Sequence, residues 1–285
     1  MELETRPASD VSTDALVDAF NNGYSGYTIP VHVNEHELRH HIEQNDIDLN
    51  QSRVAVHQGK IVGVVLLGLR DTTGWIGGLG VHPDYRRHGI GTVLMKAALE
   101  TAQALKLSTV QLEVIDSNTA AYVLYQQLGF AATRKLLVLS SPPQLPAAAE
   151  AMNAAPTTLA DALQLHQRFH TSPPPWQRAH RSLSQVSETV RAWVSPDVNQ
   201  PQAYALGYVT GSSIHFLDMA CASDQTATLQ TLIQHIMAQH DGSTARIINV
   251  GEDEPAASAL LNLGWQTILA QYEMHHPLVS FPHSG

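Results

Sequence analysis

Between a β-type run and the start of an apolar-periodic run stands Leu79-Gly80-Val81-His82-Pro83-Asp84-Tyr85-Arg86-Arg87-His88-Gly89-Ile90-Gly91-Thr92. This order of residue types makes an anion cradle. N–H groups in the first turn of a helix have no intrahelical acceptor and converge on one spot; Gly89 and Gly91 admit a ligand to the backbone, and Arg86 and Arg87 add positive charge. A pyrophosphate suits such a site. The spacing is not a dinucleotide-binding fingerprint, because Leu94 stands where the third glycine would be, and no Gly-Lys-Ser/Thr makes it a P-loop.

A second pattern, His36-Glu37-Leu38-Arg39-His40, has the H-E-x-x-H spacing that sets two imidazoles on one helix face for zinc. Arg39 inside that turn opposes a metal's charge, and no third ligand stands out downstream. We read it as a solvated helix face and expect no metal.

The elements that must position the cradle are legible from periodicity. Asp10 to Tyr24 and Asn34 to Asn45 have helical spacing, Asn34 being a candidate N-cap. Ser52 to Gln58 and Ile61 to Arg70 are β-branched and aliphatic around a Gly59-Lys60 hairpin signal, and Trp75 to Val81 is a third strand. An apolar stripe from Ile90 to Leu105 marks a helix over Gly89 to Lys106. Strand Thr109 to Ile115, helix Asn118 to Leu128 with Gly129 at its C-terminal stop, and strand Phe130 to Leu139 complete the first half.

The second half repeats the order more weakly. Helices are expected at Thr157 to Phe169, near Ser184 to Ala192, at Thr228 to Gln239 and at Glu254 to Leu263. Strands are expected at Gln202 to Val209, Ser213 to Ala220, Arg246 to Val250 and Trp265 to Met274. Ala120-Ala121…Leu128-Gly129-Phe130 corresponds to Pro255-Ala256…Leu263-Gly264-Trp265. Two copies of one α+β unit are expected, residues 1–140 and 157–285, joined by a Pro/Ala-rich linker over 141–156.

Arg86-x-x-Gly89-x-Gly91, approached by Val81-x-Pro83, resembles the signature of the Gcn5-related N-acetyltransferase (GNAT) superfamily. Asn118-x-x-Ala121-x-x-x-Tyr125-x-x-x-Gly129-Phe130 is similar to that family's second cofactor segment, so the resemblance covers residues 1–140. It implies two tandem GNAT-like units, each a mixed, mostly antiparallel central sheet flanked by helices, and acetyl-CoA as cosubstrate. It further implies that Leu79, Gly80 and Val81 run along the pantetheine arm. Arg86, Arg87, His88, Gly89, Ile90, Gly91 and Thr92 would hold the pyrophosphate, and Asn118 would contact the pantetheine. Tyr125 is similar to the tyrosine that protonates the departing thiolate, and Glu113 stands where several members carry the base. Tyr24, Tyr27 and Pro30 fall where such folds border the acceptor pocket.

The chemistry requires such roles. A primary amine is protonated near pH 7 and must lose a proton before attack, which a carboxylate can mediate, and an acid with a pKa near 10 matches a thiolate leaving group. The second copy departs from the pattern: Leu260, Asp253 and Ile248 replace Tyr125, Asn118 and Glu113, and Asp218 to Gln230 has no glycine or arginine to cradle a phosphate. It is expected to be a degenerate copy without cofactor. The expected function is an acetyl-CoA-dependent N-acetyltransferase, with a noncatalytic acetyl-CoA-binding sensor or interaction module as the alternative.

Composition narrows the partners. With 16 Lys plus Arg against 26 Asp plus Glu, the net charge of -10 argues against nucleic acid or an anionic membrane. The longest strongly apolar run, Ile61 to Leu69, is far short of the about 20 residues that span a bilayer. An acidic Met1-Glu2-Leu3-Glu4 and a single cysteine point to a cytoplasmic protein. The expected acceptor is a small-molecule or peptide amine, and the expected state a monomer with pseudo-dimeric tandem domains or a homodimer.

Overall fold

The computed structural model describes residues 1–26, 32–145, 154–187, 189–240 and 242–278. Tyr27, Pro30 and linker residues 146–153 lie outside the described residues. The chain forms two compact units, Met1–Thr133 with Glu273–Gly285, and Arg134–Tyr272.

The first unit runs β1 (Glu4–Pro7), α1 (Thr13–Tyr24), α2 (Glu35–Gln44), β2 (Arg53–His57), β3 (Lys60–Arg70), β4 (Thr73–Val81), α3 (Ile90–Ala104), β5 (Thr109–Ile115) and α4 (Thr119–Gln127). Local chemistry sets the ends. Ser12 accepts from the Ala15 N–H to cap α1, and Asn34 and Glu37 close a reciprocal capping box on α2. The β2–β3 turn falls on Gln58 and Gly59, both at positive φ. Its sheet order is β1-β2-β3-β4-β5, with residues 273–277 of the final strand beside β5. All pairs from β1 to β4 are antiparallel, and β4 with β5 is parallel. Ile90, Leu94, Met95, Ala98, Leu99 and Ala102 of α3 are buried, as the apolar stripe requires.

The second unit takes residues 134–140 of β6 (Ala131–Ser140), then β7 (Ala155–Thr157), α5 (Leu159–Phe169), α6 (His180–Ser184), β8 (Arg191–Ser195), β9 (Ala203–Thr210), β10 (Ser213–Cys221), α7 (Thr226–Ala238), β11 (Thr244–Gly251), α8 (Pro255–Asn262) and residues 266–272 of β12 (Gln266–Pro277). Its order is β7-β8-β9-β10-β11-β6, with β10 and β11 parallel. Its larger core packs Leu229, Leu232, Ile233 and Ile236 of α7 against Phe216, Ile247 and Leu260.

Three expectations are corrected. The units part at Thr133/Arg134, not in the stretch 141–156, because from Leu136 onward β6 ladders with β11 (Leu136↔Gly251 to Ser140↔Arg246). The end of β12 returns to the first unit, where the Leu278 N–H bonds the Ser108 carbonyl. The region expected as a helix near Ser184 to Ala192 is instead the end of α6 and the start of β8, whose Ala192, Trp193 and Val194 are buried.

Candidate active site

The site begins with an irregularity in β4. Its register against β3 slips between Leu66↔Gly78 and Leu67↔Ile76, which leaves Gly77 as a bulged residue. Parallel pairing with β5 covers Thr73↔Thr109 to Trp75↔Gln111 and stops there. Beyond it β4 continues as Gly78 to Val81, laddered to β3, so its other edge faces a gap between the two parallel strands.

Close packing holds this geometry. A Cβ on Gly80 would meet the Gly23 Cα at 2.8 Å, so α1 and β4 touch backbone to backbone where only glycine fits. A Cβ on Gly77 would meet the Trp75 ring at 2.6 Å, so the bulge exists with that ring folded over it. The His41 Nε2–H donates to the Gly77 carbonyl at 3.1 Å and its Nδ1 accepts from Asn45 at 3.3 Å. Burial lowers the His41 pKa below the ordinary 6.5, and this ring works as a neutral strut.

After β4 the chain makes a short turn over Pro83–Tyr85 and reaches the cradle. Arg87 (φ 64) and Gly89 (φ 78) both take the left-handed conformation around His88, which Gly89 adopts without steric cost. The Val93 N–H makes the first bond of the helix, to Gly89, which leaves the N–H groups of Ile90, Gly91 and Thr92 beyond the intrahelical ladder. A Cβ on Gly89 would meet nothing within 4 Å, and one on Gly91 would touch Leu124 of α4 at 3.4 Å and Leu79 and Val81 of β4 at 3.9 Å. The structure therefore brings Leu79, Gly80, Val81, Arg87, Gly89, Ile90, Gly91 and Thr92 to one place, with α4 beside them.

Arg86 does something the sequence does not disclose. Its guanidinium donates to the carbonyls of Val81 (3.1 Å), Gly23 (3.1 Å) and Ser25 (2.6 Å), tying the loop to the end of α1 and β4. Arg87 stays exposed. His88 donates to the Arg86 carbonyl at 2.8 Å, and Asn118 accepts from the Ala121 N–H as the N-cap of α4.

Glu113, half-buried on β5, accepts a 2.8 Å hydrogen bond from the Trp75 indole at Oε2. Tyr125 is buried in α4 with its ring 5.9 Å from that of Phe130. Trp75 and His41 escaped sequence reasoning; the one available signal was an aromatic at the head of a Gly77-Gly78-x-Gly80 strand.

Glu37 of the H-E-x-x-H pattern is spent on the capping box, accepting from the Asn34 N–H at 2.8 Å. Among the described residues, three ligand-type side chains converge at His166, His170 and Asp218 in the second unit. Asp218 already accepts from Arg178, His170 and Tyr204, so an ion there would adjoin a guanidinium.

Residues 15–130 match a family model described as the Acetyltransferase (GNAT) family. A curated relative, ribosomal protein bS18-alanine N-acetyltransferase of Escherichia coli (strain K12), is 40% identical over 52 residues, which cover 18% of this chain and only 35% of that protein. A GCN5-related N-acetyltransferase from Sphaerobacter thermophilus has 18% identity and a TM-score of 0.68, with 98% of each chain covered. A tandem GNAT protein from the clavulanic acid biosynthesis pathway has 16% identity and a TM-score of 0.69, with 99% of this chain and 100% of that one covered. Residues 15–130 are therefore a domain of the Acetyltransferase (GNAT) family, set in a chain with the tandem GNAT fold.

Proposed function

We propose that the first unit transfers an acetyl group from acetyl-CoA to an acceptor amine by direct attack of that amine. The observation that carries this reading is the gap that opens between β4 and β5 beyond Trp75 and Gln111, beside the open first turn of α3. Leu79, Gly80 and Val81 would line the pantetheine arm, Arg87 to Thr92 would hold the pyrophosphate, and Asn118 would border the arm. The cradle suits that group because its N–H donors lie outside the helix ladder and its glycine conformation leaves space in front of them.

Acetyl-CoA supplies an activated thioester. Glu113 takes the proton from the acceptor amine, directly or through water, and Tyr125 returns a proton to the departing thiolate. Positioning the two reactants supplies much of the acceleration, so each proton transfer need contribute only about 10²- to 10⁴-fold. The second unit contributes no cofactor site in this reading.

The relative named for an alanine N-terminus makes a peptide with N-terminal alanine the first acceptor to test, beside polyamines, amino acids and aminoglycosides. Release of free thiol is the measurement. Burial, with Asp224 nearby, pushes the Cys221 thiol up to about 11, and a reaction without acceptor subtracts any signal from the protein's own cysteine. Turnover on one class identifies the acceptor; binding of acetyl-CoA without thiol release on any of them sustains the noncatalytic alternative. Tyr125→Phe keeps the ring and removes the proton, so acetyl-CoA affinity should hold while turnover falls roughly 10- to 10³-fold.

A further inference from the structure

Trp75 occupies the last paired position of β4 before the strands part, opposite Gln111. Its indole N–H reaches diagonally to Glu113 Oε2 at 2.8 Å. The ring is 2% exposed and held on two sides: the His41 ring lies 5.9 Å away, and the bulge at Gly77 leaves room for the indole only because no Cβ stands there. His41 in turn fixes the Gly77 carbonyl. An unbroken chain of contacts thus runs from α2 through the bulge and the indole to the carboxylate.

We propose that Trp75 is a positioning residue for Glu113, holding that carboxylate ionised and aimed from the edge of the gap; this rests on the reading of Glu113 as the base. An N–H donor stabilises a carboxylate over its acid, and a neutral donor does so without competing as a second titrating group. The effect matters at this place. The strand beside β5 brings Glu273, which pairs with His275 at 3.5 Å, while α1 and α2 bring Tyr24 and His41 to the β4 side.

The test reads titration as well as rate. In wild-type protein labelled with ¹⁵N, the indole resonance of Trp75, assigned by its loss in Trp75→Phe, should shift with the pKa seen in the acidic limb of kcat/KM. In Glu113→Gln that shift should vanish. Trp75→Phe keeps an aromatic ring and deletes the donor, so the acidic limb should move to higher pH by about 1 unit, with KM for acetyl-CoA unchanged. A folded Trp75→Phe whose acidic limb stays in place overturns the proposal. Should that variant not fold, the Trp75 resonance is the one retained in each of Trp176→Phe, Trp193→Phe and Trp265→Phe, and its being blind to the limb's pKa overturns the proposal equally. An acidic limb that persists in Glu113→Gln instead defeats Glu113 as the base, a separate failure.

Discussion

β4 in the first unit and β10 in the second leave their parallel partners just ahead of a bulge, at Gly77 and at Leu217. Pairing holds over Thr73↔Thr109 to Trp75↔Gln111 in one, and over Ser213↔Thr244 to Phe216↔Ile247 in the other. The residue after the bulge differs. In the first unit it is Gly78, and the gap runs toward a cradle of backbone N–H groups. In the second it is Asp218, and Arg178, 1% exposed, bridges the strands: it bonds Asp218 of β10, the Asn249 carbonyl of β11 at 2.8 Å, and both carboxylate oxygens of Glu254. Burial alone would raise the Asp218 carboxyl, but Arg178 and then His170 outweigh it and hold it well below the usual range. The same backbone opening leads to the glycine-bearing first turn of α3 in one unit and is the socket of an internal ion pair in the other. Side chains at one or two positions decide which.

The sharpest way to break this comparison is to count ligands. Calorimetry should find one acetyl-CoA per chain, and two equivalent sites would end the distinction between an open gap and a plugged one. Gly91→Glu places a carboxylate in the cradle, so the rise in melting temperature that acetyl-CoA produces should disappear. An undiminished shift would move the cofactor elsewhere.

Arg178→Met tests the plug. It strands two carboxylates, one of them fully buried, and should reduce stability in urea by about 3–5 kcal/mol. Adding Asp218→Asn should recover part of that loss, because the two sites interact directly. A loss below about 1 kcal/mol would mean that water already reaches the ion cluster.

Gly80→Ala probes the open gap in the same way. Its methyl group would push the α1 backbone from β4, so stability should fall by about 1–3 kcal/mol and the acetyl-CoA shift should shrink with it. Retention of both would mean that α1 retreats without disturbing the site.

The smallest effect concerns pH. His41 is held neutral by burial, with a folded pKa below the unfolded 6.5. A group depressed on folding contributes stability above its unfolded pKa and loses it as pH falls toward the folded one. His41→Gln keeps a donor for the Gly77 carbonyl and cannot titrate, so its melting temperature should fall less steeply than the wild type's as pH is lowered from 7 to 5.

Periodicity and local punctuation carried the helices and most strands of this chain, because those signals are written in neighbouring residues. Asn34 before α2, Asn118 before α4, Gly89 before α3 and Gly129 after α4 each act within a turn or so of where they stand, and their structural roles match the local pattern. The glycine-bearing loop was legible for the same reason. Helix and strand failed where the segment was short: β7 spans Ala155–Thr157, and β8 is buried although its sequence begins with an arginine and lacks alternation.

Tertiary structure alone decided the rest, through contacts between residues far apart in sequence. A strand's composition does not name its partner, so the passage of β6 to β11 and the return of β12's end to β5 could not be read from Leu136–Leu139 or from Tyr272–Met274. Arg86 had the composition of a phosphate ligand, yet it became a clamp once Gly23 and Ser25 were brought against it. Glu113 was visible as a carboxylate of suitable type; its indole partner 38 residues earlier was not. The sequence by itself determined where α3 would begin, on Gly89, and which carboxylate and phenol the chain offers. Only the fold determined which of those groups are held, and by what, since a hydrogen bond depends on an approach within about 3 Å that no spacing along the chain encodes.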